Sequence, residues 1–374
     1  MKYSNQWGRI RISLSVVISS LITALIGIPH HELEAQDWKS GDTIVITEDT
    51  DLLVGTEKVA RITVGTLVTI NQVNKQWLWL NSDPAGWIDQ KSVSSVPEYL
   101  NDQNAKADEL KKSQNFELAR EIYDRVLSID PRNERALLNR ADTYYGQKDY
   151  EASIEGFTVV EQEWPRNKDV YFWRGDAYYQ LKLFEKAIED YSKGMSLVTP
   201  SASHFISRCN AYVGNKDWDN AIVDVTVAIS LSKGRSPESL SQNHAGRAMY
   251  WEQKKDAAAA VADYLTAAQL APKNRAANLE KAARILATST DDKIRNGKRA
   301  VQLALDAAKS MNQPDARVLA TLAAGYAEVG DYVTAVKFLE RSITQSDESS
   351  KAARIELLEI YKSKLTNGGS SNDE

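Results

Sequence analysis

One cysteine, Cys209, stands in 374 residues. A single thiol excludes an intramolecular disulfide framework, a thiolate zinc site and a CxxC redox pair. It also suits export, because a spare thiol is a liability in an oxidising compartment. Histidine is nearly as scarce, and His30, His31, His204 and His244 are too scattered for a metal cluster. No GxxxxGKS/T, GxSxG or HExxH motif is present, which removes the usual signatures of phosphate binding, serine hydrolysis and zinc proteolysis. The carboxylate pair Asp291-Asp292 sits in a loop-like stretch and reads as solvated. An excess of basic charge is also missing. The formal net charge is −5, so the electrostatic footprint of nucleic-acid binding is absent. No enzyme activity and no cofactor is called for. Apolar residues make up 43% and charged residues 26%, a globular balance that supports a large core.

The chain opens with Lys2, Arg9 and Arg11, then an apolar run from Ile12 to Ile28, then Pro29-His30-His31-Glu32. This order is that of a secretory signal. Residues 1–35 are therefore expected to export the rest, either cleaved after Ala35 or kept as a membrane anchor, since the run is near the lower limit for spanning a bilayer. The His30-His31 pair reads as a spacer. The protein is placed in the periplasm, outside the cell, or at a membrane held only by that segment.

From Asp42 the periodicity changes. Thr43–Thr47, Val59–Val64, Leu67–Ile70, Trp77–Leu80 and Gly86–Ile88 are β-rich runs split by turn residues. Five short strands over residues 37–96 predict a small closed barrel. The turn Val64-Gly65-Thr66, the run Gln76-Trp77-Leu78-Trp79-Leu80 and the closing Gly86-Trp87-Ile88 resemble the bacterial SH3-like domain. That resemblance implies a spacer, or a binder of cell-wall peptides or protein segments. Trp77 and Trp79 alternate onto one face of a strand. With Trp87 they form either part of the core or an aromatic groove for a peptide.

A 34-residue register runs through the middle of the chain. Ala107, Ala141, Gly175 and Cys209 make a small column, and Leu110, Tyr144, Tyr178 and Tyr212 a large one. Phe116, Tyr150, Phe184 and Trp218 are aromatic. Ala119, Ser153, Ala187 and Ala221 are small, and Tyr123, Phe157, Tyr191 and Val225 fill the next large column. Small columns let antiparallel helices cross closely, and large ones fill the space beside them. Asn115, Asp149, Asp217, Asp256 and Asp331 fall where each can cap a second helix. Pro131, Pro165 and Pro272 end units. These columns resemble the tetratricopeptide repeat family. About seven units are expected over residues 100–349, irregular from 275, with a capping helix at 350–365 and a disordered tail at 366–374. The fold class is mainly α: a tetratricopeptide superhelix, an α-solenoid, after an all-β barrel.

Arg140, Arg174, Arg208 and Arg247 share one column. Asp190, Asp224 and Asp263 each follow the last three by 16 residues, which predicts ion pairs inside each hairpin. Gly156 stands where the partner of Arg140 would be, leaving that arginine for another role. By resemblance to the family, first-helix positions line a concave ligand face. They hold Asp142, Tyr145, Phe172, Asp176, Tyr179 and Asn210, a mixture suited to an extended or helical peptide. Some family members clamp a terminal carboxylate with lysine, but Leu138, Phe172 and Ile206 stand at those positions here. The expected function is an exported, non-catalytic scaffold for a protein or peptide partner. The alternative is a cell-wall accessory protein that binds peptidoglycan through the SH3-like domain.

Overall fold

The computed structural model describes residues 37–368, apart from Lys233 and Arg235. The expected export segment and residues 369–374 of the expected tail lie outside the described residues. Among the described residues no helix is long and apolar enough to cross a membrane. The chain divides into two compact units between Asn101 and Asp102.

The first unit is an antiparallel sheet of seven strands: β1 Thr43–Ile46, β2 Thr50–Val54, β3 Glu57–Ile62, β4 Leu67–Asn74, β5 Trp77–Leu80, β6 Gly86–Asp89 and β7 Val93–Ser95. They lie in the order β3-β2-β6-β5-β4-β1-β7, with β3 and β7 at the ends of the ladder. Two strands, β2 and β7, exceed the five expected. Thr-Asp-Leu-Leu-Val buries only Leu52 fully, and Val-Ser-Ser is mostly polar. Neither carries a strand-like alternation, and both are strands because β3, β6 and β1 offer them partners. The core is Ile44, Ile46, Leu52, Val68, Ile70, Leu78, Leu80, Ile88 and Val93. Alternation in β5 sends Leu78 and Leu80 into it and leaves Trp77 and Trp79 half-buried on the other face.

The second unit continues the helix that the divide cuts. Its helices are α1 Val96–Lys112, α2 Phe116–Ile129, α3 Glu134–Gly146, α4 Tyr150–Glu163, α5 Lys168–Gln180, α6 Phe184–Ser196, α7 Ala202–Gly214 and α8 Trp218–Leu231. There follow α9 Pro237–Gln253, α10 Ala257–Leu270, α11 Arg275–Thr288, α12 Gly297–Lys309, α13 Ala316–Glu328, α14 Tyr332–Thr344 and α15 Glu348–Gly368. From α2 onward each packs on its neighbours in sequence, as in a solenoid of hairpins. Odd-numbered helices up to α13 are first helices, and α15 follows the last hairpin. The small column Ala107, Ala141, Gly175, Cys209 and Ala248 is buried, which is where first and second helices come closest.

The turns inside six of the seven hairpins, all but that between α11 and α12, share one device. Gln114, Lys148, Lys182, Lys216 and Lys255 take left-handed φ values between 58° and 65°, and Gly330 does the same at 86°. A side chain there costs about 1 kcal/mol relative to glycine. The next residue starts the second helix. Asp149, Asp217, Asp256 and Asp331 accept from the backbone N–H three residues on. Asn115 departs from the expectation: it makes no cap, and its amide donates to Ser113 Oγ at 3.2 Å.

Candidate functional site

The arginine column resolves into structure. Arg174 donates through Nε and Nη2 to both oxygens of Asp190, each at 2.8 Å. Arg208 holds Asp224 the same way at 2.8 Å, and Arg247 holds Asp263 at 2.7 and 2.8 Å. A forked guanidinium on a buried carboxylate fixes the register of a hairpin more than it adds stability. Their remaining nitrogens reach back to hydroxyls: Arg174 to Thr158 Oγ1 at 3.2 Å and Arg208 to Ser192 Oγ at 3.0 Å. Arg140 corrects the sequence reading. It is not left over, because its Nη1 donates to Asp124 Oδ1 at 2.6 Å. Asp124 lies 16 residues before it, in the column that holds Thr158 and Ser192. The acid has moved from the helix that follows the arginine to the one that precedes it. Gly156 stands at the vacated position, where a Cβ would lie 2.7 Å from that of Ala141.

The first-helix face has a second column, Asp108, Asp142, Asp176 and Asn210, also 34 residues apart. Asp108 receives the Nε of Arg135 at 3.1 Å, the amide of Asn139 at 3.2 Å and the hydroxyl of Tyr123. Asp142 pairs with Lys111 at 2.8 Å, and the same ammonium reaches Asn139 Oδ1 at 2.7 Å. Among the described residues Asp176 receives only the Tyr191 hydroxyl, at 2.6 Å. Burial raises its pKa above the usual carboxylate range, and the hydrogen bond from Tyr191 only partly offsets this. Asn210 is exposed.

The aromatic residues lie around Asp176. Phe172, Asp176 and Tyr179 succeed one another at i, i+4 and i+7 and so share one face of α5. Tyr145 projects from α3, and its hydroxyl pKa is raised first by burial and then by the charge of Asp176. Tyr191 is raised likewise, by burial and then by Asp176, with smaller contributions from Tyr145 and Tyr179. The three tyrosines therefore share one electrostatic neighbourhood with this carboxylate. Phe172 stacks on His204 at 4.3 Å between centroids, with planes 11° apart. Tyr145 meets Tyr150, and Tyr179 meets Phe184, edge to face.

Of the predicted positions, Tyr145, Phe172, Asp176 and Tyr179 gather in this way. Asp142 is neutralised by Lys111, and Arg140 serves Asp124. Tyr191, which the register marks as a filler of the large column, also supplies the donor to Asp176. The signal was in the register. Asp108 and Tyr123 stand 15 residues apart, as do Asp176 and Tyr191, whereas Asp142 is followed by Phe157 and Asn210 by Val225. The acid that lacks a tyrosine takes a lysine instead, and the last position drops the acid.

In the first unit, Trp79 lies opposite Trp87 in the β5–β6 ladder, the rings edge to face at 5.2 Å. Trp77 and Trp87, with Leu53, Gly55 and Asn74, line an open groove of about 280 Å³. Trp79 is not among its lining residues. All three tryptophans are half-buried outside the apolar core.

Among known proteins, a tetratricopeptide repeat model matches residues 104–165, and a second matches residues 169–197. No curated protein matches the chain. Among solved structures, MamA is similar over 45% of this chain and 95% of its own, at 21% identity and a TM-score of 0.41. A tetratricopeptide repeat protein from Parabacteroides merdae is similar over 71% of this chain and 99% of its own, at 13% identity and a TM-score of 0.44. YrrB, described as a tetratricopeptide repeat protein with an unusual peptide-binding site, is similar over 54% of this chain and 98% of its own, at 15% identity and a TM-score of 0.43. Residues 104–165 and 169–197 of this chain thus match tetratricopeptide repeats, and they lie in a mainly helical solenoid that follows an antiparallel sheet.

Proposed function

We propose that the chain is an exported, non-catalytic scaffold that holds a protein or peptide on the first-helix face of its second to fourth repeats. The observation that carries this reading is the set Tyr145, Phe172 and Tyr179. These large aromatic side chains remain half-buried on first helices while the columns beside them fill the core. Aromatic rings give contact area at little entropic cost, so they suit a binding face. Export rests on the charge, apolar run and polar exit of residues 1–35. The absence of chemistry rests on the missing catalytic motifs and on Cys209, a residue only 1% exposed inside a helix crossing.

The test is co-purification of the full chain from an envelope fraction, followed by titration of each recovered partner. Saturable binding that falls at least tenfold, about 1.4 kcal/mol, in the Tyr145→Ala/Tyr179→Ala variant supports the reading. Binding that the variant leaves intact overturns the assignment to this face.

A second reading has its own observation, the groove lined by Trp77 and Trp87. An open, partly apolar cleft with two indole rings in its lining suits a cell-wall peptide on an SH3-like domain. Sedimentation of the full chain with purified wall material tests it. Loss of sedimentation in Trp77→Ala supports it, and equal sedimentation of that variant counts against it.

A further inference from the structure

We infer that Asp176, with Tyr145, Tyr179 and Tyr191 about it, is the receptor for a cationic side chain, lysine or arginine, of the bound peptide. This rests on the peptide-binding reading above and adds the chemistry of the ligand. The repeat supplies the comparison. Three acids occupy one column on successive first helices. The chain satisfies Asp108 with Arg135 and Asn139, and Asp142 with Lys111. At the third position the equivalents of those cations are gone. Thirty-one residues before Asp142 stands Lys111, but 31 before Asp176 stands Tyr145. Twenty-seven residues after Asp108 stands Arg135, but 27 after Asp176 stands Ser203. Asp176 forms no ion pair among the described residues, and its carboxylate keeps only the Tyr191 hydroxyl.

A half-buried carboxylate that keeps one neutral donor is better satisfied by a charged one, and none is supplied among the described residues. A guanidinium or ammonium arriving from a ligand would take the place that Arg135 fills two repeats earlier and Lys111 one repeat earlier. The tyrosine rings suit the same guest, because aromatic faces attract cations and the hydrocarbon stem of lysine or arginine packs on them. Lys111 already behaves this way in the preceding repeat, its ammonium 5.9 Å from the centroid of the Trp173 ring. The partner segment is therefore basic at one position, with apolar or aromatic residues beside it for Tyr145, Tyr179 and Phe172.

The test uses the full chain on an array of random dodecapeptides. The expected result is enrichment of lysine or arginine at one position of the bound peptides. Replacing that residue by glutamine should weaken binding about tenfold or more, which is about 1.4 kcal/mol. Asp176→Asn should remove this difference, because it keeps an oxygen for Tyr191 but loses the charge. Asp142→Asn should keep it. Bound peptides with no basic preference, or an unchanged preference in Asp176→Asn, would overturn the inference while leaving the peptide-binding reading intact. An array that binds nothing overturns both.

Discussion

Arg208→Met separates a structural ion pair from a surface one. Methionine keeps most of the apolar stem and removes the guanidinium. Arg208 gives two hydrogen bonds of 2.8 Å to Asp224, whose side chain is only 2% exposed, and one of 3.0 Å to Ser192. The variant leaves a buried carboxylate with no cation, a loss of about 3–5 kcal/mol. Arg140→Met is the internal control. Arg140 also pairs with an acid, but the side chain of Asp124 is 59% exposed, so water replaces the guanidinium and the loss is at most about 1 kcal/mol. The double variant Arg208→Met/Asp224→Leu removes both buried charges and should recover most of the loss. Urea denaturation of the full chain followed by circular dichroism gives the midpoints. Hydrogen exchange of the α7 and α8 amides localises the effect, because a repeat array need not unfold as one unit. The reasoning is refuted if Arg140→Met costs as much as Arg208→Met, or if the double variant is no better than the single one.

The same hairpins give three further expectations. A Cβ on Gly175 would lie 2.8 and 2.9 Å from two atoms of the Tyr191 ring. Gly175→Ala should lower the urea midpoint, with overpacking of about 1–3 kcal/mol exceeding a helix-propensity gain of about 1 kcal/mol; a raised midpoint would contradict it. Burial alone would raise the pKa of Asp263, but Arg247 and His244 together outweigh that and hold it below the usual range. Its stabilisation is present above the unfolded value of about 3.9 and is lost as pH falls through the lower folded value. The stability gap between the wild type and Asp263→Asn should therefore shrink only below about pH 4, and a gap that closes at neutral pH would rule this out. Burial pushes the Cys209 thiol up to about 11. Iodoacetamide at about pH 8 should leave it unmodified in the native protein and alkylate it in concentrated urea; fast native labelling, read by mass spectrometry, would show that the crossing opens.

Much of the helical unit was legible because a repeat writes its packing several times. The small column at Ala107, Ala141, Gly175 and Cys209 and the 16-residue arginine–aspartate spacing both come from one hairpin geometry. Averaging over units reveals them without coordinates. The sheet was less legible. β2 and β7 are strands only because partners reach them, and a ladder between distant segments leaves little mark on composition. In the candidate site, the sequence placed Tyr145, Phe172, Asp176 and Tyr179 on one side of the first helices. It could not say which acids were already neutralised. That depends on whether a cation on the neighbouring helix reaches across, as Lys111 does for Asp142.

The sequence alone determined the period, the hairpin, the capping aspartates and the three forked arginines, because each is a short-range relation repeated along the chain. The tertiary structure alone decided which charges remain. It turned Arg140 back to Asp124 where Gly156 lets two helices close up, and it left Asp176 without an ion pair among the described residues. Charge balance at a site is a sum over neighbours from several helices, and only folding brings those neighbours within a few ångströms of one another.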